Sequence, residues 1–260
     1  RNGRFALNGS SFSLDKDASV GPHTLHGGPI GFSKKIWKRI KEDAINKADL
    51  EVFSPDGDQG FPGNLSAKVK YELIDPDSLL IDFSATTDSP SIINLVSHIY
   101  FNLDGKVIDI SNHSVQINAQ EYTVQDKTPL PTGEIRRVEG TPFDLRESSM
   151  LGRKLEELRN LSGDHGFDQN YVLNKEEDGL TLAATLTSAS SDLTMMVYTD
   201  QPGLQLYTGQ HLAEPFYPFA GLCLETQAFP DAPNQPNFPS AILLPGETYS
   251  KRTLLKFKWN

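Results

Sequence analysis

Apolar residues in this chain recur mostly at intervals of two, in short runs set between turn-forming residues, and helical spacing is scarce. Phe5-Ala6-Leu7 and Phe12-Ser13-Leu14 flank Asn8-Gly9, a pair suited to the positive φ angles of a tight hairpin. Further strands are expected at residues 36–40, 48–53, 65–74 and 79–83, parted by Asp56-Gly57-Asp58, Phe61-Pro62-Gly63 and Asp75-Pro76-Asp77. Residues 115–117, 122–124, 171–173, 180–186, 193–198, 204–207, 242–244 and 249–257 continue the pattern, with Asp178-Gly179 and Gln201-Pro202-Gly203 as turns and 128–133 as a stiff proline loop. One short helix is expected from Ser148 or Ser149 to Arg159, with Met150, Leu151, Leu155 and Leu158 as its apolar stripe, followed by a polar loop over 160–170. Many strands with one small helix predict an all-β fold of antiparallel sheets packed face to face or partly closed. A βαβ fold would need more helices, and with no repeat and no linker residues 1–260 read as a single domain.

Residues 91–105, SIINLVSHIYFNLDG, carry the densest candidate chemistry. Ile92, Ile93, Leu95 and Val96 read as a buried strand, after which His98, Tyr100 and Asn102 share one face and Asn102-Leu103-Asp104-Gly105 turns the chain. His98 then stands where a core meets a cleft, although a satisfied structural imidazole fits the same pattern. Residues 21–32, GPHTLHGGPIGF, form a built loop in which Gly27 and Gly28 let backbone approach a ligand. His26 either binds there or hydrogen-bonds the loop to itself. No phosphate-loop lysine and hydroxyl follow these glycines, which argues against a nucleotide site.

The remaining polar candidates are Asp168 with Asn170, and Glu225 at the end of the apolar run Leu222-Cys223-Leu224. A carboxyl held by a strand can have a raised pKa and act as a base, whereas a strand-end charge in water is the plain alternative. Cys223 alternates with Glu225 and reads as packing. As the single cysteine it excludes an internal disulfide framework, and a reduced thiol favours a cytoplasmic protein. A formal net charge of -10 without a basic block makes nucleic acid and anionic membrane poor partners. No apolar stretch is long enough for a membrane span. His23 and His26 are the only close histidine pair, HExxH is absent, and Asp56, Asp58 and Asp77 lack calcium-loop spacing, so no metal is expected.

Five motifs in order then resemble the aldose 1-epimerase (galactose mutarotase) family: HTLHGG at 23–28, SHIYFNLDG at 97–105, GFDQNYVL at 166–173, PGLQLYTG at 202–209 and GLCLETQAFPDAPNQPNFP at 221–239. The resemblance implies a large antiparallel β-sandwich of galactose-mutarotase type, acting as a cofactor-independent epimerase on the α and β anomers of free aldohexoses such as galactose and glucose. It implies His98 as acid and Glu225 as base, approaching opposite sides of one cleft. It further implies His26, Tyr100, Asp168 and Gln205 as substrate-binding groups, with Phe167, Tyr100 and Phe229 covering an apolar sugar face. The expected partner is a free monosaccharide; the motifs fix neither the preferred sugar nor the oligomeric state. Family members carry additional N-terminal strands and an asparagine-arginine pair before the Phe5 segment, which this sequence lacks, and a longer segment than residues 211–219 before the glutamate motif. Ser97 and Ile99 replace a more polar stretch beside the histidine. A noncatalytic carbohydrate-binding or regulatory protein could keep the same cleft. A glycoside hydrolase would recruit Asp168 and Glu225 as its two carboxylates, against which the histidine-centred motif argues.

Overall fold

Period-two alternation becomes antiparallel strand pairing over most of the chain. The structure, a computed structural model, describes residues 1–16, 21–41, 44–105, 109–163, 166–174 and 179–259. Asp178 of the expected turn and positions 164–165 of the polar loop lie outside these residues. The first strands are β1 (Arg4–Leu7), β2 (Ser10–Ser13), β3 (Lys38–Lys41), β4 (Lys47–Ser54), β5 (Leu65–Asp75), β6 (Ser78–Thr87) and β7 (Ser91–Ile92). There follow β8 (His113–Ile117), β9 (Ala119–Gln125), β10 (Pro131–Arg137), β11 (Ser149–Met150), helix α1 (Leu151–Ser162), β12 (Asp168–Leu173) and β13 (Thr181–Ser188). The chain closes with β14 (Leu193–Thr199), β15 (Gly203–Tyr207), β16 (Cys223–Gln227), β17 (Ile242–Leu243) and β18 (Tyr249–Trp259). Two compact units result: Arg1–Ile74 with Leu80–Leu95 and Pro230–Arg252, and Asp75–Leu79 with Val96–Phe229 and Thr253–Asn260.

In the first unit the β1–β2 hairpin forms as expected, with Asn8 and Gly9 at φ 50° and 79° and the Phe5 and Phe12 rings stacked 5.2 Å apart. Strands β6-β5-β4-β3 lie in that order, and β5 buries Leu65, Ala67 and Val69 while its alternate residues face outward.

The second unit is an antiparallel sandwich. One layer is β10-β9-β12-β15-β16, and the other is built on β11-β8-β13-β14-β18. Val115, Ile117, Leu186, Met195 and Val197 from one layer and Leu204, Leu206 and Leu224 from the other are buried; each such side chain contributes about 1.5–3 kcal/mol relative to exposure. Between the layers, the Thr226 and Thr253 hydroxyls hydrogen-bond at 2.5 Å. Helix α1 buries Leu151, Leu155 and Leu158, and Gly163 caps it at φ 78°, a left-handed conformation in which a Cβ would be strained.

Three expectations change. The stretch expected as a strand from Ile92 to Asn102 is a ladder only at Ser91–Ile92, because the Leu95 N–H donates to Tyr249 Oη rather than to a neighbouring strand; pairing resumes as an isolated bridge from Phe101 to Leu222. The proline loop at 128–133 runs into edge strand β10, where Pro131 as first residue leaves no interior N–H missing. Met150 lies outside the apolar stripe: it is half exposed and precedes the helix.

Candidate active site

Cross-strand register assembles the polar groups in the second unit. Strand β12 places Asp168 opposite Tyr207 and Asn170 opposite Gln205 on β15; β15 in turn places Tyr207 opposite Cys223 and Gln205 opposite Glu225 on β16. Since alternate residues share a face, Asp168, Asn170, Gln205, Tyr207, Cys223, Glu225 and Gln227 form one polar surface, with Leu204, Leu206 and Leu224 turned into the core.

Hydrogen bonds orient this surface. The Gln227 amide donates to Asn170 Oδ1 and to Gln205 Oε1, both at 3.1 Å, and the Gln205 amide donates to Asp168 Oδ1 at 2.6 Å. Gln205 thus has its oxygen turned toward Gln227 and its nitrogen toward the exposed carboxylate, an orientation its own strand could not set.

His98 reaches the surface from the segment beside β16. Phe101 and Leu222 exchange backbone hydrogen bonds of 2.7 and 3.0 Å, and Asn102 Nδ2 donates to Ala220 O, so the segment is tied down close to the strand that carries Glu225. His98 Nε2 stands 3.5 Å from Glu225 Oε1, and Nδ1 stands 3.3 Å from Cys223 Sγ. The Tyr100 ring lies 5.1 Å from the His98 ring, and Tyr207 meets both edge-on at 6.0 and 6.1 Å. Two tyrosines therefore flank the imidazole and limit its exposure to water.

Burial sets the electrostatics. Glu225 is only 7% exposed, and its carboxyl is pushed up to about 8, first by loss of solvation and then by the negative charge of Asp168. Burial raises the Cys223 thiol too, with Glu225 and Asp168 adding to it, so the sulfur keeps its proton at neutral pH and can donate it to His98 Nδ1. Such a bond leaves Nε2 as the N–H nitrogen, facing Glu225. Burial likewise raises Tyr100 and Tyr207. The imidazole, thiol and carboxyl also bring nitrogen, sulfur and oxygen donors within 4.8 Å of one another, the one such group among the described residues.

His98, Tyr100, Asp168, Gln205 and Glu225 are thus brought together. His26 belongs to the first unit, exposed at φ 52° in a turn closed by Gly28 N–H to Leu25 O at 3.0 Å. Phe167 is fully buried against Phe143, and Phe229 is 4% exposed, so both belong to the core rather than to a sugar-facing surface. His98 and Glu225 meet directly instead of facing one another across a gap. Tyr207 and Gln227 are given no role by the sequence, though each lies two positions beyond an expected site residue, Gln205 or Glu225, on the same strand face.

The model of the family described as aldose 1-epimerase matches residues 1–256. The aldose 1-epimerase of Escherichia coli (strain K12) is 38% identical, the match covering 98% of this chain and 76% of that protein. The galactose mutarotase of Mus musculus is 41% identical over 98% of this chain and 74% of its own length. The crystal structure of an aldose epimerase homologue from C. elegans superposes with a TM-score of 0.91 at 27% identity, covering 100% of this chain and 79% of the other. Sequence likeness along nearly the whole chain and a shared fold lead to one assignment: the chain belongs to the aldose 1-epimerase family.

Proposed function

We propose that this protein interconverts the α and β anomers of free aldohexoses such as galactose and glucose by acid/base ring opening and reclosure. The observation that carries the reading is the contact of His98 Nε2 with Glu225 Oε1 at 3.5 Å on a polar strand surface, in a chain of this family. The anomeric hydroxyl and the ring oxygen are bonded to the same carbon. An acid and a base that serve them together must therefore be near neighbours, and a pyranose can present that carbon to both from one side.

In this mechanism ionised Glu225 takes the anomeric hydroxyl proton while His98 supplies a proton to the ring oxygen. The bond from ring oxygen to anomeric carbon breaks, giving an open-chain aldehyde. Rotation about the adjacent carbon–carbon bond turns its other face, and reclosure reverses both transfers. Each well-placed transfer is worth about 10²–10⁴-fold, and neither moves electrons or phosphate. Asp168 and the Gln205 amide hold ring hydroxyls, with Tyr100 and Tyr207 beside the ring. For His26 the support is its HTLHGG motif alone. A buried, reduced Cys223 fits a cytoplasmic setting. Among the described residues no helix is long and apolar enough to cross a membrane.

Polarimetry from one pure anomer tests the proposal, with the uncatalysed rate subtracted. Faster mutarotation by the wild type, lost in Glu225→Gln and His98→Asn proteins that keep their β-sheet circular dichroism, is expected. Wild type that accelerates no free aldose, or normal turnover by both folded variants, would overturn it.

A further inference from the structure

We propose that His98, Cys223 and Glu225 together form a binding site for a thiophilic divalent cation of the zinc class, and that a cation held there inhibits the enzyme. The donor set is a nitrogen, a sulfur and a carboxylate oxygen, all within 4.8 Å. Zinc binds these three atom types at about 2.0–2.3 Å, and three protein ligands leave a fourth position for water or a sugar hydroxyl. The imidazole Nδ1 and the thiol sulfur, already 3.3 Å apart, are at about the separation that two tetrahedral ligands of one ion adopt. Glu225 need close by only about an ångström to complete the set. Sulfur selects against magnesium and calcium, which prefer all-oxygen shells.

The cost of entry is visible in the same geometry. The sulfur is fully buried behind the half-exposed His98 ring, so a cation must enter on the His98 side and displace the thiol proton, which leaves to solvent. Once bound, it occupies the Glu225 carboxylate lone pairs that the proposed reaction uses. The inhibitory consequence rests on the proposed function; the binding does not.

The test uses the full chain, stripped with a chelator and dialysed. Zn²⁺ is titrated against a chromophoric chelator, and Co²⁺ replaces it to reveal thiolate-to-metal charge-transfer absorption. One equivalent of Zn²⁺ is expected to bind, with a cobalt–thiolate band. Binding should weaken in Cys223→Ser and in His98→Asn by at least the roughly 10–100-fold that loss of an outer-shell partner costs a metal site. Mutarotation should fall on Zn²⁺ loading, recover with chelator, and ignore Mg²⁺. Absence of stoichiometric binding, or binding indifferent to both substitutions, would overturn the site, and a Zn²⁺-loaded protein of undiminished activity would overturn its inhibitory role. If metal-free wild type shows no mutarotation while Zn²⁺ binds with the stated residue dependence, the cation site stands and the functional reading falls.

Discussion

Nε2 of His98 lies 3.5 Å from Oε1 of Glu225, while Nδ1 of the same ring lies 3.3 Å from the Cys223 sulfur. The carboxyl is buried and the imidazole half exposed, so water reaches the pair from the histidine side. A sugar entering there, as proposed, would displace that water and leave both proposed proton carriers in a medium where hydrogen bonds are stronger than in solution.

Glu225→Gln keeps the side-chain volume and removes the proposed base. We expect turnover to fall by about 10²–10⁴-fold, measured by polarimetry with galactose and glucose, without loss of the β-rich circular dichroism spectrum. Retained turnover would move the base elsewhere.

The raised carboxyl gives two linked pH effects. In the proposed mechanism ionised Glu225 is the competent base, so kcat/KM should rise with pH through a midpoint near the value of about 8 set by burial and Asp168. Because this folded-state value lies above the ordinary glutamate value of 4.5, the folded chain binds the proton more tightly. Its stabilising contribution is complete below 4.5 and is lost as pH rises through about 8. The slope is about 1.4 kcal/mol per pH unit inside that window. Thermal melts of wild type and Glu225→Gln across the window check this: the variant should lose this component and gain relative stability at the alkaline end.

Asp168→Asn removes the charge that opposes ionisation of Glu225 while keeping a side chain of similar shape beside the Gln205 amide. The rising limb of kcat/KM should move to lower pH, and KM should increase as the carboxylate's proposed bonds to sugar weaken. A pH profile that overlays the wild type would refute the electrostatic coupling.

Strands were legible where alternation coincided with turn chemistry, as in the Asn8-Gly9 hairpin and β5. The segment around His98 misleads because Ile93 and Leu95 are buried in alternation without a ladder; the partner of the Leu95 N–H is a tyrosine hydroxyl 154 positions away. Likewise the polar residues at Asp168, Gln205 and Glu225 stand out locally, but their shared face depends on the register of β12, β15 and β16, which no local pattern encodes. The His98–Cys223 contact, spanning 125 positions, is of the same kind. Tyr207 and Gln227, by contrast, follow from period two once Gln205 and Glu225 are placed.

Gln227→Met fills similar space yet deletes the donor shared by Asn170 Oδ1 and Gln205 Oε1. Stranding these acceptors should cost about 1–3 kcal/mol of stability, read by denaturant unfolding. The loosened Gln205 should raise KM more than it lowers kcat. Equal stability and unchanged KM would show that the amide chain has no orienting role.

The two ladders joining β12, β15 and β16 also limit how the gene can vary in length. One codon inserted within β15 or β16 would turn Gln205 or Glu225 inward and bring Leu204, Leu206 or Leu224 to the surface in their place. Insertions in the connection at residues 208–222 leave both registers intact. Descendants of this sequence are therefore free to remodel the rim above the polar surface by gaining and losing residues, while the surface itself can change only by substitution.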